Sequence, residues 1–502
     1  MWKVLITLVA LLPSLWSLWQ AGGLPHLGYF HDDGLYAGTA AALAEGRGLK
    51  VESLPGEPWQ VKYPPLFPLY LALGARWEPA LLFLVWLPLP LLLWQLWRWR
   101  GDAAIVFLIG WNVFSVVFAG TALSEVFATV LLVLSIRELE RGRTRAAALA
   151  AGLAYLARTA LVALPAGAIL WLLWKRRPRD AAEFAAIFAP FFLLWSWFVA
   201  SHTPSNLTGG LVYYLSYTQF FRQNMDFNIL STVLAINAQE LIGSMGSLLF
   251  FNSGDSFWEV NFARLLLFGA ISGLVRQVRA NGPSPYIVMA FPYMALLVVW
   301  NFVPNSRFLY PLLPLLLDGL LTEFRHFKSM LSVTWIKQRG ATIVISAMVA
   351  AGALWTLQRN AVAAWKYSPQ IPANYKAMAP DREQAYAWIR ANTPENANFL
   401  VYEDPSLRRH TGRHGIGIHC PTRLFYTNDN PAIVAYHLQL IANMRAENLE
   451  YLLIGPNDLS QEIRTEEREQ ILKDWKTRPD LETVFQNSRF LIRRLRPLQS
   501  GM

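Results

Sequence analysis

Eleven apolar stretches, each close to the length of a bilayer-crossing helix, constrain this chain more than any single motif. About 20 apolar residues in helical conformation span the hydrocarbon core. Such stretches fall at 2–20, 79–97, 103–120, 124–139, 146–158, 160–174, 183–200, 258–275, 284–302, 308–322 and 341–358. The expected fold class is therefore an α-helical polytopic membrane protein. Composition agrees: 54% of residues are hydrophobic and 16% charged, against about 25% charged in soluble proteins. Many of the 21 Trp and 29 Phe sit near the ends of the apolar runs, as in interfacial aromatic belts. The piece 146–158 is short enough to be tilted or to pass only part-way. The stretch 229–251 carries Asn237, Gln239 and Glu240, which predicts an interfacial or re-entrant segment. No small-residue cleavage site follows Leu15, so the first span is expected to be an uncleaved signal anchor.

Orientation follows from Lys and Arg in the short connections. Arg98 and Arg100 form one cluster, and Arg137, Arg141, Arg143 and Arg145 the next. Lys175, Arg176, Arg177 and Arg179 follow, then Arg276 with Arg279, and finally Arg325, Lys328, Lys337 and Arg339. All five fall on one side if the eleven spans alternate. This predicts a multi-pass membrane protein with a cytoplasmic N-terminus and an extracytoplasmic C-terminal domain. The net charge of +10 is thus a topology signal, and no nucleic-acid partner is expected. A single cysteine, Cys420, excludes an intramolecular disulfide and a Cys-based zinc site.

The composition changes after Ala361. Residues 1–360 read as the membrane module, 361–379 as a linker, and 380–502 as a small extracytoplasmic α/β domain. Within that domain, Arg382 to Asn392 has helical spacing, and Asn398 to Tyr402 and Tyr451 to Ile454 read as short buried strands. Glu462 to Trp475 reads as a charged helix and Thr483 to Leu495 as a hairpin.

The chemistry concentrates in the loops opposite the basic clusters. In the first, 21–78, His31-Asp32-Asp33-Gly34-Leu35-Tyr36 opens a short helix. Capping of free amides would explain one Asp. Two adjacent carboxylates beside a His suit a general base or a carboxylate-plus-cation site, and if a divalent metal is used, Mg or Mn is the candidate. Downstream, Lys62-Tyr63-Pro64-Pro65 sets a lysine before a rigid turn at headgroup depth, where an ammonium pairs with a phosphate oxygen. Ser124 reads as an N-cap and Glu125 as a first-turn acid facing the acidic pair. Arg158, between two apolar pieces, must face protein or a wet cavity. Arg307 lies at the outer mouth of another span and could serve the same anion. His410, His414 and His419 read as a His-rich outer loop, and Asn206-Leu207-Thr208 as a glycosylation acceptor pattern. The sequence holds no phosphate-binding glycine loop, zinc-protease helix or nucleophile elbow.

Together these residues resemble the integral-membrane GT-C glycosyltransferases. The likeness is to bacterial relatives of the protein O-mannosyltransferases and of the transferase that adds aminoarabinose to lipid A. Asp32-Asp33 matches the acidic pair of the first outer loop in that superfamily. Lys62-Tyr63-Pro64-Pro65 matches its Lys or Tyr before Pro-Pro, and Glu125 its acidic residue in the second outer loop. Tyr155 to Thr159, Arg307 to Pro314 and Thr411-Gly412-Arg413 are similar to recurrent bacterial patterns. Two Asp stand where some relatives have Asp-Glu. The likeness covers roughly 1–330, with the tail weaker.

The resemblance implies a transferase that moves a sugar from a polyprenyl-phosphate donor to an acceptor hydroxyl on a glycolipid, polysaccharide or protein of the cell envelope. It implies Asp32 as base, and Asp33 and Glu125 as groups positioning the acceptor or a metal for which Asp32 and Asp33 are the candidates. Lys62, Arg158 and Arg307 would hold the donor phosphate, and His31, Tyr36 and Tyr63 would position substrate. The alternative is a multi-span transporter or flippase of lipid-linked substrates. Against it, the chain lacks the paired broken-helix halves common in transporters.

Overall fold

The computed structural model describes residues 2–21, 27, 30–205, 207, 210–252, 254, 256–333, 339–460 and 463–497, with backbone alone at 331–333 and 339–346. Lys337, Asn206, Thr208 and Gln461 to Glu462 lie outside the described residues.

Apolar helices form wherever the hydropathy demanded them. Four described helices are long and apolar enough to cross a membrane: Trp2–Ala21, Glu78–Trp99, Pro178–His202 and Phe257–Asn281. Other stretches expected to span take the form of shorter helical pieces. Residues 103–120 form helices Ala103–Gly110 and Val113–Ala119, broken where Asn112 caps the second piece through the Phe114 amide (3.1 Å). The 146–158 piece is the helix Thr144–Ala157, followed by a 3-10 turn and Ala163–Trp174. Exposed apolar residues stripe the long helices, among them Leu5, Leu8, Leu12 and Leu15 on the first, and Phe192, Leu193, Leu194 and Trp197 on Pro178–His202. Such continuous apolar faces suit lipid, since water-facing surfaces rarely carry them.

Helices approach closely through small residues, as membrane bundles favour. A Cβ on Gly273 would fall 1.9 Å from the Gly319 carbonyl oxygen, and one on Gly110 2.3 Å from the Ala10 oxygen. The apolar segment 229–251 is the helix Phe227–Leu249. Its Asn237 donates to the carbonyls of Val298 (3.0 Å) and Trp300 (2.7 Å) and accepts from the Tyr426 hydroxyl (2.8 Å). Asn237 is thus matched by protein rather than left to lipid, while Gln239 and Glu240 are exposed.

The basic clusters meet at one end of the bundle. Arg141 donates to the Arg98 carbonyl (3.2 Å), Arg100 pairs with Asp318 (3.0 Å), and Arg325 pairs with Asp102. Arg145 reaches Glu183 (2.6 Å), Arg276 reaches Glu323 (3.0 Å), and Trp171 donates to the Pro283 carbonyl (2.9 Å).

Beyond the last long helix, Arg339–Val362, a five-stranded sheet forms from β1 (Asn398–Val401), β2 (His414–Gly417), β3 (Tyr451–Ile454), β4 (Leu481–Gln486) and β5 (Leu491–Leu495). Its order is β2-β1-β3-β5-β4. β1 runs parallel to β2 and β3, and β5 is antiparallel to β3 and β4. The expected helix 382–392 is Ala379–Asn392, and the expected charged helix is Thr465–Thr477. β2 went unforeseen because His-Gly-Ile-Gly is short and glycine-rich. Its pairing with β1 makes it a strand.

This domain seats on the outer loops of the helical part. Arg408 pairs with Glu57 (2.7 Å), the Gly415 amide donates to the Ser53 carbonyl (2.9 Å), and Arg423 pairs with Asp226 (2.5 Å). Arg413, from the Thr-Gly-Arg pattern, is buried and braces the domain from within by donating to the Thr393 carbonyl (2.7 Å).

Candidate active site

The helix Asp32–Ala44 starts from an uncommon turn. His31 has φ 60° and ψ −56°, and the Asp32 amide donates to the Phe30 carbonyl at 2.6 Å. This is a γ-turn of the positive-φ kind, which is strained for a residue with a Cβ. It sends three consecutive polar side chains to three places. His31 meets Asp404 (3.0 Å) and the Tyr214 hydroxyl (3.1 Å). Asp33, fully buried, accepts from the Phe30 amide (3.0 Å). Asp32 alone of the three lines the main cavity.

Arg307 grips Asp32 at 2.6 Å and also pairs with Glu125, while Tyr63 donates its hydroxyl proton to Asp32 at 2.5 Å. Burial by itself would raise the Asp32 pKa. The charges of Arg307 and Lys62 and the Tyr63 hydrogen bond outweigh it and bring it down to about 2. Arg307 is aimed by its own short helix, where Asn305 caps the Arg307 amide (3.0 Å).

Glu125 begins the helix Glu125–Glu140 and is fully buried. It pairs with Arg158 (2.8 Å) as well as with Arg307. One buried carboxylate therefore holds two guanidinium groups side by side. Ser124 makes no capping bond. Its hydroxyl instead meets the Tyr36 hydroxyl (3.3 Å) and Arg158 (3.4 Å). It serves as an acceptor for Arg158 rather than as a helix cap.

Lys62 is nearly buried. Its ammonium donates to the Tyr213 carbonyl (2.6 Å) and lies 3.8 Å from the centre of the Tyr213 ring. Burial pulls its pKa down to about 8, against the opposing attraction of Asp32.

Asp32, Tyr36, Lys62, Tyr63, Arg158 and Arg307 thus line one cavity of about 480 Å³. The lining also includes apolar side chains, among them Val162, Leu296, Leu297, Phe302, Val303 and Phe308. Asp33, Glu125 and His31 do not line it. The sequence left unsingled Tyr213, Tyr217, Trp300 and Tyr426, which do. An aromatic residue among 68 aromatics (21 Trp, 18 Tyr, 29 Phe) carries no local mark of a pocket. His419 also lines it and is held neutral, chiefly by burial and also by the charges of His31 and Lys62.

The donor set does not fit a metal at Asp32 and Asp33. Arg307 and Tyr63 occupy the two oxygens of Asp32, and the Asp33 side chain turns back to the Phe30 amide.

No protein-family model matches the chain, and no curated protein does. Solved structures share its architecture. ArnT from Cupriavidus metallidurans bound to undecaprenyl phosphate superposes with a TM-score of 0.53 at 16% identity, over 98% of this chain and 97% of that one. The same protein in the apo state gives 0.51 at 16% identity, with the same coverage. The likeness extends through the tail domain, where the sequence resemblance was weaker. Over nearly its whole length the chain shares the fold of these ArnT structures.

Proposed function

We propose that this protein is a glycosyltransferase of the bacterial inner membrane, moving a sugar from a polyprenyl-phosphate donor to an extracytoplasmic acceptor hydroxyl. The observation that carries the reading is a single cavity lined by three cations, one carboxylate and many apolar side chains. A lipid-linked phosphosugar has the matching parts: an anion for Lys62, Arg158 and Arg307, a polar sugar, and a hydrocarbon tail. The ArnT structure bound to undecaprenyl phosphate adds weight from a protein of the same fold. The basic end of the bundle faces the cytoplasm. Residues 1–360 carry the chemistry, and 380–502 close the site from the extracytoplasmic side.

In the reaction the acceptor oxygen forms a bond to the anomeric carbon as the bond from that carbon to the phosphate oxygen breaks. The electron pair leaves with polyprenyl phosphate, and the cations stabilise the charge that develops there. Asp32 takes the acceptor proton. A carboxylate at about 2 is a weak base, because an effective base has a pKa near the working pH. Donor binding resolves this: a phosphate that recruits Arg307 loosens its hold on Asp32, and the carboxylate becomes more basic as substrate arrives. Glu125 acts as the positioning group that keeps Arg158 and Arg307 together, and Asp33 fixes the turn that presents Asp32. No step requires a metal at the acidic pair.

The test is release of polyprenyl phosphate by purified protein given polyprenyl-phosphate sugars and a membrane glycolipid extract. Asp32→Asn is expected to lower turnover by about 10²- to 10⁴-fold, the usual worth of a positioned general base, while donor still binds. Equal release by variant and wild type removes Asp32 from the chemistry. No release by wild type with any donor favours transport of lipid-linked substrates.

A further inference from the structure

Bordering the cavity, with His419 in its lining, is a second cluster to which the transfer reaction assigns no step. We propose that His31, Asp404 and His419 bind a divalent ion of the zinc type, which ties the first outer loop to the C-terminal domain. Their ligand atoms all lie within 4.8 Å of one another. His31 Nε2 is 3.0 Å from Asp404 Oδ1. The Tyr214 hydroxyl stands at a fourth corner, 2.6 Å from Asp404 Oδ1, 3.1 Å from His31 Nε2 and 3.2 Å from His419 Nε2. Ligands about 2.0–2.2 Å from a tetrahedral zinc are roughly 3.3 Å apart, and two imidazoles with a carboxylate is a set that zinc accepts.

The fold builds this cluster. Asp404 and His419 follow β1 and β2, so the carboxyl ends of two adjacent parallel strands present them together. His31 reaches them only because its γ-turn directs it away from Asp32. Asp404 Oδ1 meets Tyr214 and His31, but the other carboxylate oxygen is left open. Asp404 is fully buried, its recorded ion pair is with His31 alone, and its Oδ2 has no hydrogen-bond partner among the described residues. Buried carboxylates are ordinarily paired with a cation or bound to a metal. A bound ion would supply that charge and anchor the residue next to Asp32, so the site would act as a positioning device for the base.

The readout is metal content and does not depend on donor turnover, so it stands or falls separately from the transferase reading. Full-length protein in detergent is stripped with chelator and reloaded with zinc alone or cobalt alone. Wild type is expected to retain one zinc per chain, to melt at higher temperature with zinc, and to give the intense visible absorption of tetrahedral cobalt. Asp404→Asn and His419→Gln should each weaken zinc binding by at least about 10- to 100-fold, the range seen even for groups outside the ligand set. His414→Gln, on β2 but outside the cluster, should leave it unchanged. Wild type that retains no zinc overturns the proposal, as does a weak octahedral cobalt spectrum or equal retention by both variants. The cobalt spectrum of the wild type decides the matter even where a variant fails to fold.

Discussion

Arg307 connects the two acidic groups that the sequence placed far apart, and the electrostatics of the site turn on it. It touches both Asp32 and Glu125. Glu125 is the counter-ion of two arginines, so its loss leaves two cations crowded and unbalanced. Glu125→Gln should destabilise the protein by about 3–5 kcal/mol, the cost of breaking a buried charge pair from one side, read as a lowered unfolding midpoint in detergent. Lys62 makes the pH prediction. Its pKa is depressed to about 8, so the ammonium is lost as pH rises through that value. Phosphate binding favours the protonated form, and donor affinity should therefore fall above pH 8, by up to about tenfold per pH unit. Donor titrations at several pH values measure this. Lys62→Arg, charged throughout, should flatten the profile, and a profile already flat in wild type would remove Lys62 from phosphate binding. Lys62, Arg158, Arg307 and Asp32, which share one cavity, were all singled out in the sequence, because charge at membrane depth is costly enough to need a reason. The divergence of His31, Asp32 and Asp33 was not, since it depends on one backbone dihedral.

Among the helices, the contact between Phe257–Asn281 and the helix Leu313–Val333 has no room for a side chain at Gly273. Gly273→Val should cost about 1–3 kcal/mol, as overpacking does, by forcing the two helices apart. A thermal or denaturant melt of the detergent-solubilised variant checks it, and an unchanged melt would mean that the helices can separate freely. The positions of these helices were legible because an apolar run of this length has few alternatives to a helix in lipid. Their breaks were less so. Asn112 interrupts an apolar run, and what it serves, capping one helix and holding the Leu248 carbonyl (2.8 Å), involves a segment 136 residues away.

For the whole molecule, the decisive contact is between the tail domain and the outer loops. Glu57 receives both Arg47 (2.6 Å) and Arg408 (2.7 Å), one from each part. Arg408→Glu would set like charges together and loosen the domain. Limited proteolysis within 361–379 should then accelerate, and donor KM should rise because His419, Thr422, Phe425 and Tyr426 leave the cavity wall. Proteolysis at the wild-type rate would show that the remaining contacts hold the domain alone.

By itself the sequence determined a helical membrane protein, the shared side of its basic loops, a separate polar tail and charged groups that the fold gathers around one cavity. Each follows from local free energy: apolar length, charge against lipid, strand and helix periodicity. Only the tertiary structure decided which charges meet. Glu125 behind two arginines, Asp33 turned from the cavity, and His31 joined to a domain nearly four hundred residues away are contacts across long sequence separation. They depend on how helices and loops pack, which no local pattern encodes.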